Sequence, residues 1–128
     1  MRVIAIRTKL TDCPAEIAAL GSPQSDLNIT LHNKYEIHAL SVYRGIVFLQ
    51  LVGDAGIIMW LPAWLFKVDD NSIPEDWVCS LPGNSLQSVL GPRFVADDES
   101  SYNRMVEQNM DSVAAFWQRV EAKSRGER

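Results

Sequence analysis

The sequence predicts one α+β domain, in which an antiparallel barrel or curled sheet over about residues 31–80 precedes a helical part over about residues 98–124. Two patterns indicate this fold. From Leu31 the apolar residues recur at every second position, which is typical of strands. Beyond Glu99 they recur at intervals of three and four, which is typical of amphipathic helices. A chain of 128 residues can bury a core that needs no disulfide or metal.

The N-terminal part should form one strand and one short helix. Residues 2–8, "RVIAIRT", are rich in β-branched side chains and favour a strand. In "TDCPAEIAALG", Asp12 can cap a helix, Pro14 suits its first turn and Gly21 can end it. We therefore expect a helix of about two turns.

The first strand of the sheet should be sharply bent. Tyr35, Ile37 and Ala39 share one face, but the apolar positions then move to Leu40 and Val42. A shift of this kind indicates a bulge or a strong bend.

A hairpin should follow the turn at residues 43–45. Residues 46–52, "IVFLQLV", are apolar on both faces and predict a central strand. "GDAG" supplies the loop, and the returning strand should end at Pro62, which cannot donate to a strand ladder. After a short turn, Leu65 and Phe66 should enter the core.

The C-terminal pattern predicts two helices, one from Glu99 to Gln108 and one from Ser112 to Lys123. Asp111 lies between them as the expected N-cap. Trp60 and Trp117 lie on apolar stripes, so both are expected in the core.

The order "HNKYEIHAL", turn, "IVFLQLV", "GDAG", "IIMWLPAWLFKV" resembles the Src-homology-3-like small barrel over Leu31 to Val68. The resemblance implies the fold. It does not extend to the polyproline ligand, because Pro62 and Phe66 match the ligand platform of that family only loosely and the acidic loop before the tryptophan is missing.

Charge and composition limit the partners. The net charge of −4 repels phosphate backbones, which argues against direct binding of nucleic acid, and it attracts a basic protein. Residues 46–66 are apolar, but Asp54 near their midpoint argues against a membrane span. Arg7 and Lys9 argue against a secretory signal, so the cytoplasm is expected.

No cofactor, metal site or catalytic motif is predicted. Cys13 and Cys79 lack the spacing of a zinc site, and we expect buried free thiols, with a single disulfide between them as the alternative. His32 and His38 lie six residues apart on the polar face of one predicted strand, too far apart to share a metal. A histidine–carboxylate pair assembled by folding is the basis of one alternative, a small enzyme.

The candidate partner-binding residues are two groups of acids and two tryptophans next to turns. They are Asp69, Asp70, Glu75 and Asp76, then Asp97, Asp98 and Glu99, together with Trp64 and Trp77. The first acids are predicted in a loop, where ordinary turn chemistry competes with binding. The second acids precede a helix, where they can simply stabilise its dipole. An exposed ring beside acids can anchor an interface.

These features favour a non-enzymatic binding protein. An acidic single domain of this size is similar in kind to bacterial immunity proteins, and that similarity implies a toxin, such as a nuclease, whose basic active site is covered by carboxylates. The alternative to this function is a Src-homology-3-like adaptor, including a phage-encoded one. The small enzyme described above is the third hypothesis.

Overall fold

The computed structural model describes residues 1–11, 13–18, 27–81 and 87–125. Within these ranges the chain forms eight strands, four α-helices and one 3-10 turn. The α+β prediction is confirmed. The described strands form two separate antiparallel sheets and no closed barrel.

The smaller sheet has three strands and is built around the start of the chain. β1 (Arg2–Ala5) lies between β2 (Lys34–Glu36) and β6 (Phe66–Asp70), and both pairings are antiparallel. The prediction of a loop at Asp69 and Asp70 is wrong, because both residues belong to β6.

The larger sheet has five strands in the order β5-β4-β3-β8-β7. These strands are β3 (Ala39–Tyr43), β4 (Ile46–Val52), β5 (Ile58–Pro62), β7 (Trp77–Ser80) and β8 (Gln87–Pro92). β4 was predicted to be a central strand, and this is confirmed because it pairs with β3 on one side and β5 on the other. β7 and β8 were not predicted, although β8 joins β3 to the edge of the sheet.

The chain passes from one sheet to the other at Ile37 and His38. The predicted bend is confirmed in kind, but it lies before Ala39 rather than after it. The backbone N–H of Ile37 donates to Met1 O at 2.8 Å, and that of His38 donates to Gln50 O at 2.8 Å. The bend therefore connects the two sheets by hydrogen bonds.

The turns follow the sequence closely. Arg44 and Gly45 join β3 to β4 with positive φ angles of 52° and 78°, as a tight hairpin requires. Pro62 ends β5 as predicted, and the 3-10 turn (Ala63–Leu65) follows it. Leu65 and Phe66 are buried, which confirms their predicted place in the core.

The helices are α1 (Ala15–Ala18), α2 (Arg93–Ala96), α3 (Glu99–Val106) and α4 (Met110–Ser124). The two C-terminal helices are confirmed to within two residues at each end. Asp12 and Gly21, the expected cap and terminator of α1, lie outside the described residues.

The N-cap of α4 is Asn109, whose side chain accepts from the backbone N–H of Asp111 at 3.0 Å. The prediction that Asp111 is the cap is wrong, because Asp111 is already in the first turn. α2 was not predicted.

Each face of the larger sheet covers its own core. The first core lies between the two sheets and includes Val3, Leu49, Leu51 and Leu65. The second core lies between the larger sheet and the helices, with Ala39 and Val89 from the strands facing Val95, Met105 and Phe116. The order of layers is therefore sheet, sheet, helices.

Four side chains differ from the sequence-based expectation of burial, because Trp60 and Cys13 are only partly buried and Trp117 and Cys79 are exposed. Trp60 is partly buried against Tyr102, with 5.5 Å between ring centroids, but Trp117 remains 36% exposed. Both cysteines are free, and Cys79 is exposed on β7 rather than buried.

Candidate partner-binding surface

Asp69 is engaged within the protein. Arg2, which pairs with Asp70 in the smaller sheet, donates Nε to Asp69 Oδ2 at 2.7 Å, while Lys34 Nζ lies 3.7 Å from the same oxygen. The hydrogen bond from Arg2 lowers the pKa of the Asp69 carboxyl below its ordinary value. This carboxylate ties β6 to β1 and β2, and its charge is largely compensated.

Asp76 is held even more firmly, by a bidentate pair with Arg119 of α4. Arg119 Nε and Nη2 donate to the two carboxylate oxygens at 2.7 and 2.9 Å. The pair lowers the pKa of Asp76. The Arg119 side chain is only 11% exposed, so it presents little positive charge to solvent. Asp76 therefore fastens the loop before β7 to the last helix.

Asp70 precedes the loop of residues 71–76, and Glu75 lies within it. The backbone N–H of Ser72 donates to Asp70 Oδ1 at 2.9 Å and lowers the pKa of that carboxyl. Glu75 is exposed and forms no ion pair with a described residue. Ile73 between them is 58% exposed. Ile73 and Glu75 are thus the part of this predicted site that is available to a partner.

The two candidate tryptophans differ in accessibility. Trp77 is only 8% exposed and packs in the first core, so the expectation of an exposed ring is wrong. Its register explains the burial, because Trp77 begins β7 opposite Pro92 with its ring turned between the sheets. Trp64 is partly buried, and Arg7 Cζ lies 4.2 Å from its ring centroid.

Trp64 also lines an open cleft of about 480 Å³ beside α1. Ile17, Ile46 and Val47 form its apolar walls, and Arg44 lies at the turn between β3 and β4. Glu16 and Arg44 are its charged lining residues, and its mainly apolar walls could accept a small apolar segment.

The acids before the C-terminal helices have structural roles. Asp98 caps α3 by accepting from the backbone N–H of Ser101 at 2.8 Å, which lowers the pKa of Asp98. Asp97 pairs with Arg93 one turn earlier, at 3.0 Å. Glu99 begins α3, and its side chain lies outside the described part. The geometry of Asp97 and Asp98 agrees with the helix-stabilising interpretation.

The histidines occupy different environments. His32 is exposed, whereas His38 is 6% exposed and packs against Phe116, with 4.8 Å between ring centroids. The prediction that both lie on a polar strand face is therefore wrong. Burial lowers the pKa of His38 to about 3, and the positive charges of Arg119, Lys123 and the N-terminus add to this effect. His38 is thus neutral at physiological pH.

Among the described residues, no three His, Cys, Asp or Glu side chains are grouped so that they could hold a metal ion. The charged groups that lower the pKa of His38, namely Arg119, Lys123 and the N-terminus, are all positive. The described residues therefore do not form a pair of His38 with a carboxylate.

The sequence-based interpretation missed one exposed apolar area, at the corner between α3 and α4. Val106 is 48% exposed, Met110 is 86% exposed and Trp117 is 36% exposed. The helical spacing of Val106 and Trp117 suggested burial, but both lie at the margins of their apolar stripes. Three apolar residues in one short segment were the available signal.

Comparison of the chain with protein-family models, with curated proteins and with solved structures finds no match. Among the described residues, no helix combines the length and apolar character that crossing a membrane requires.

Proposed function

We propose that this protein is an acidic binding protein that recognises a positively charged protein partner. In its most concrete form it is a cytoplasmic immunity protein that covers the basic active site of a toxin. One observation carries the proposal: exposed carboxylates without an ion pair to a described residue lie beside exposed apolar side chains, Glu75 near Ile73 and both Glu107 and Asp111 next to Met110.

This arrangement suits recognition of a basic protein surface. The unpaired carboxylates attract cationic side chains, while the apolar neighbours exclude water once contact is made. The net charge of −4 also accelerates the encounter with a basic partner, an effect that weakens as ionic strength rises. Asp69 and Asp76 are not expected to contact the partner directly. Their ion pairs with arginine side chains hold the binding surfaces in place.

The test is mild crosslinking in the native host followed by purification of the crosslinked complex. We expect one stoichiometric partner with a basic domain, which dissociates faster as salt is added. Expression of that domain alone should be toxic, and co-expression of this protein should relieve the toxicity. Recovery of no stoichiometric partner, or of an acidic one, would contradict the proposal.

The cleft beside Trp64 favours a second candidate, a Src-homology-3-like adaptor that takes an apolar segment within a larger assembly. Its binding should depend weakly on salt, since the cleft walls are mainly apolar. Replacement of Ile46 by Ser should then weaken the complex, whereas the same replacement should leave an acid-dependent complex unchanged.

A further inference from the structure

The corner between α3 and α4 is a rigid turn that displays apolar side chains. α3 ends in a Schellman motif: Gln108 adopts a positive φ of 55° and its N–H donates to Met105 O at 3.1 Å, while the N–H of Asn109 donates to Arg104 O at 2.9 Å. Asn109 then caps α4. The exposure of Met110 at the next position is therefore fixed by a hydrogen-bonded turn.

The apolar side chains of this corner form a stripe along one side of α4. Met110 and Trp117 are seven residues apart and so lie on the same side of the helix, with Ala114 between them. The Trp117 ring is held edge-on against Phe116, with 5.2 Å between ring centroids. A fixed aromatic ring beside a flexible methionine is typical of the centre of a protein interface.

The charge beside this stripe has one sign. Glu107 and Asp111 are exposed and form no ion pair with a described residue, and residues 105–118 contain no Lys or Arg. Arg104 is turned back along its own helix, where Nη1 donates to Ser100 Oγ at 2.9 Å. The apolar stripe therefore has a negative flank.

We propose that this corner is the docking surface for the basic partner and that its occupant is an amphipathic, Lys- or Arg-rich helical segment of that protein. This inference rests on the proposed function and assigns its surface. An apolar face on the segment would cover Met110 and Trp117, and its cations would pair with Glu107 and Asp111. A second copy of this chain fits less well, because a two-fold contact would bring the same acids together.

The test uses two synthetic peptides as probes. Both have leucines at helical spacing; one has lysines on its flanks and the other has glutamates. The protein is labelled at its methionine methyl groups, and loss of a signal in Met110→Ser assigns Met110. We expect the lysine peptide to shift the Met110 signal while the buried Met105 signal moves little, and we expect no binding of the glutamate peptide.

Matched variants separate the two exposed surfaces. Met110→Ser with Asp111→Asn removes one apolar and one acidic side chain at the corner, and Ile73→Ser with Glu75→Gln does the same at the loop of residues 71–76. Both changes are at exposed positions and should leave the fold intact. We expect the corner variant to weaken binding of the lysine peptide by about tenfold or more, as truncation of an interface anchor typically does, and the loop variant to change it by less than about twofold.

The remaining outcomes distinguish the inference from the function on which it rests. If the loop variant loses binding, or both variants bind as tightly as the parent, the docking assignment is overturned while recognition of a basic partner stands. If the lysine peptide does not bind, the docking assignment fails and the crosslinking experiment alone decides the proposed function. If the glutamate peptide binds equally well, the charge complementarity on which the proposed function rests fails too. A dimer in sedimentation that Met110→Ser abolishes would replace the basic segment with a second copy as occupant.

Discussion

The two faces of the five-stranded sheet bury very different chemistry. The face toward the smaller sheet covers an almost entirely apolar core. Among the described residues of that core, Trp77 Nε1 is the one buried polar side-chain atom without a hydrogen-bond partner. The face toward the helices also carries Ser41 and Gln50, because both share a side of the sheet with Ala39. Neither of these two polar side chains has a hydrogen-bond partner among the described residues.

His38 adds to this difference, because its ring packs on Phe116 of the helical layer and its Nδ1 has no partner in the described part of the chain. Burial of unpaired polar groups lowers stability. The comparison therefore indicates that the contact between the two sheets holds the fold together and that the helical layer opens at a lower free energy.

The largest effect should come from Phe116→Ala. Phe116 is 1% exposed and is the main large side chain that α4 buries, so its loss should destabilise the helical layer by about 3–5 kcal/mol. Hydrogen exchange should show loss of protection in α4 while β1 and β4 retain theirs. Leu51→Ala, in the first core, is the control and should lower protection throughout. If both variants lost protection equally in α4, β1 and β4, the lower stability of the helical layer would be contradicted.

The free energy of unfolding should fall at acid pH because His38 is buried in its neutral form. Its pKa is about 3 in the folded protein against an ordinary 6.5, so below pH 6.5 the unfolded chain binds a proton that the folded protein does not. The free energy of unfolding should therefore fall by up to about 1.4 kcal/mol per pH unit, or about 2–3 kcal/mol between pH 6 and 4.

Denaturant unfolding of His38→Gln as a function of pH isolates this contribution, because the carboxylates titrate in both proteins. The variant should lose less stability over the same pH range. If the free energies of unfolding of the two proteins fall in parallel with pH, His38 is protonated as readily in the folded protein as in the unfolded chain.

Gly91→Ala should disturb the helical side by steric contact. A Cβ at Gly91 would lie 2.8 Å from Ala39 Cβ and 3.0 Å from Val95 Cγ1. Strand β8 and helix α2 must then move apart, at a cost of about 1–3 kcal/mol in the free energy of unfolding. Adding Ala39→Gly should recover part of the loss in thermal unfolding. A Gly91→Ala protein with unchanged stability would mean that this contact is loose.

The smallest change in this series should be a gain. Gln50 is fully buried and neither atom of its amide has a partner among the described residues, so Gln50→Met should raise the free energy of unfolding by about 1 kcal/mol. Leu49→Met, on the apolar face of the same strand, is the control and should not stabilise. A loss of stability in Gln50→Met would show that the amide is satisfied.

The sequence predicted the elements with strong local patterns. β4, the β4–β5 loop, Pro62 and the two C-terminal helices follow from periodicity and turn residues within short windows. β7 and β8 were missed because "WVCS" is too short to show alternation and β8 ends in Gly91 and Pro92, which usually indicate a loop. A strand of this kind is specified by its neighbours in the sheet.

The candidate site was harder to predict because its electrostatics depend on distant pairs. Arg2 and Asp69 are 67 positions apart, and Asp76 and Arg119 are 43 positions apart. No local pattern shows that these acids are already neutralised. The caps at Asp98 and Asn109 are local, and sequence reasoning recovered the role of Asp98 but placed the second cap two residues late.

The central place of β1 in its sheet has a consequence for synthesis on the ribosome. β1 is synthesised before either of its neighbours, and the later of these, β6, ends at Asp70. β1 must therefore wait until residue 70 has been synthesised before both of its edges are paired, and such long-range pairing folds slowly. We expect chaperones to bind residues 2–5 during this interval.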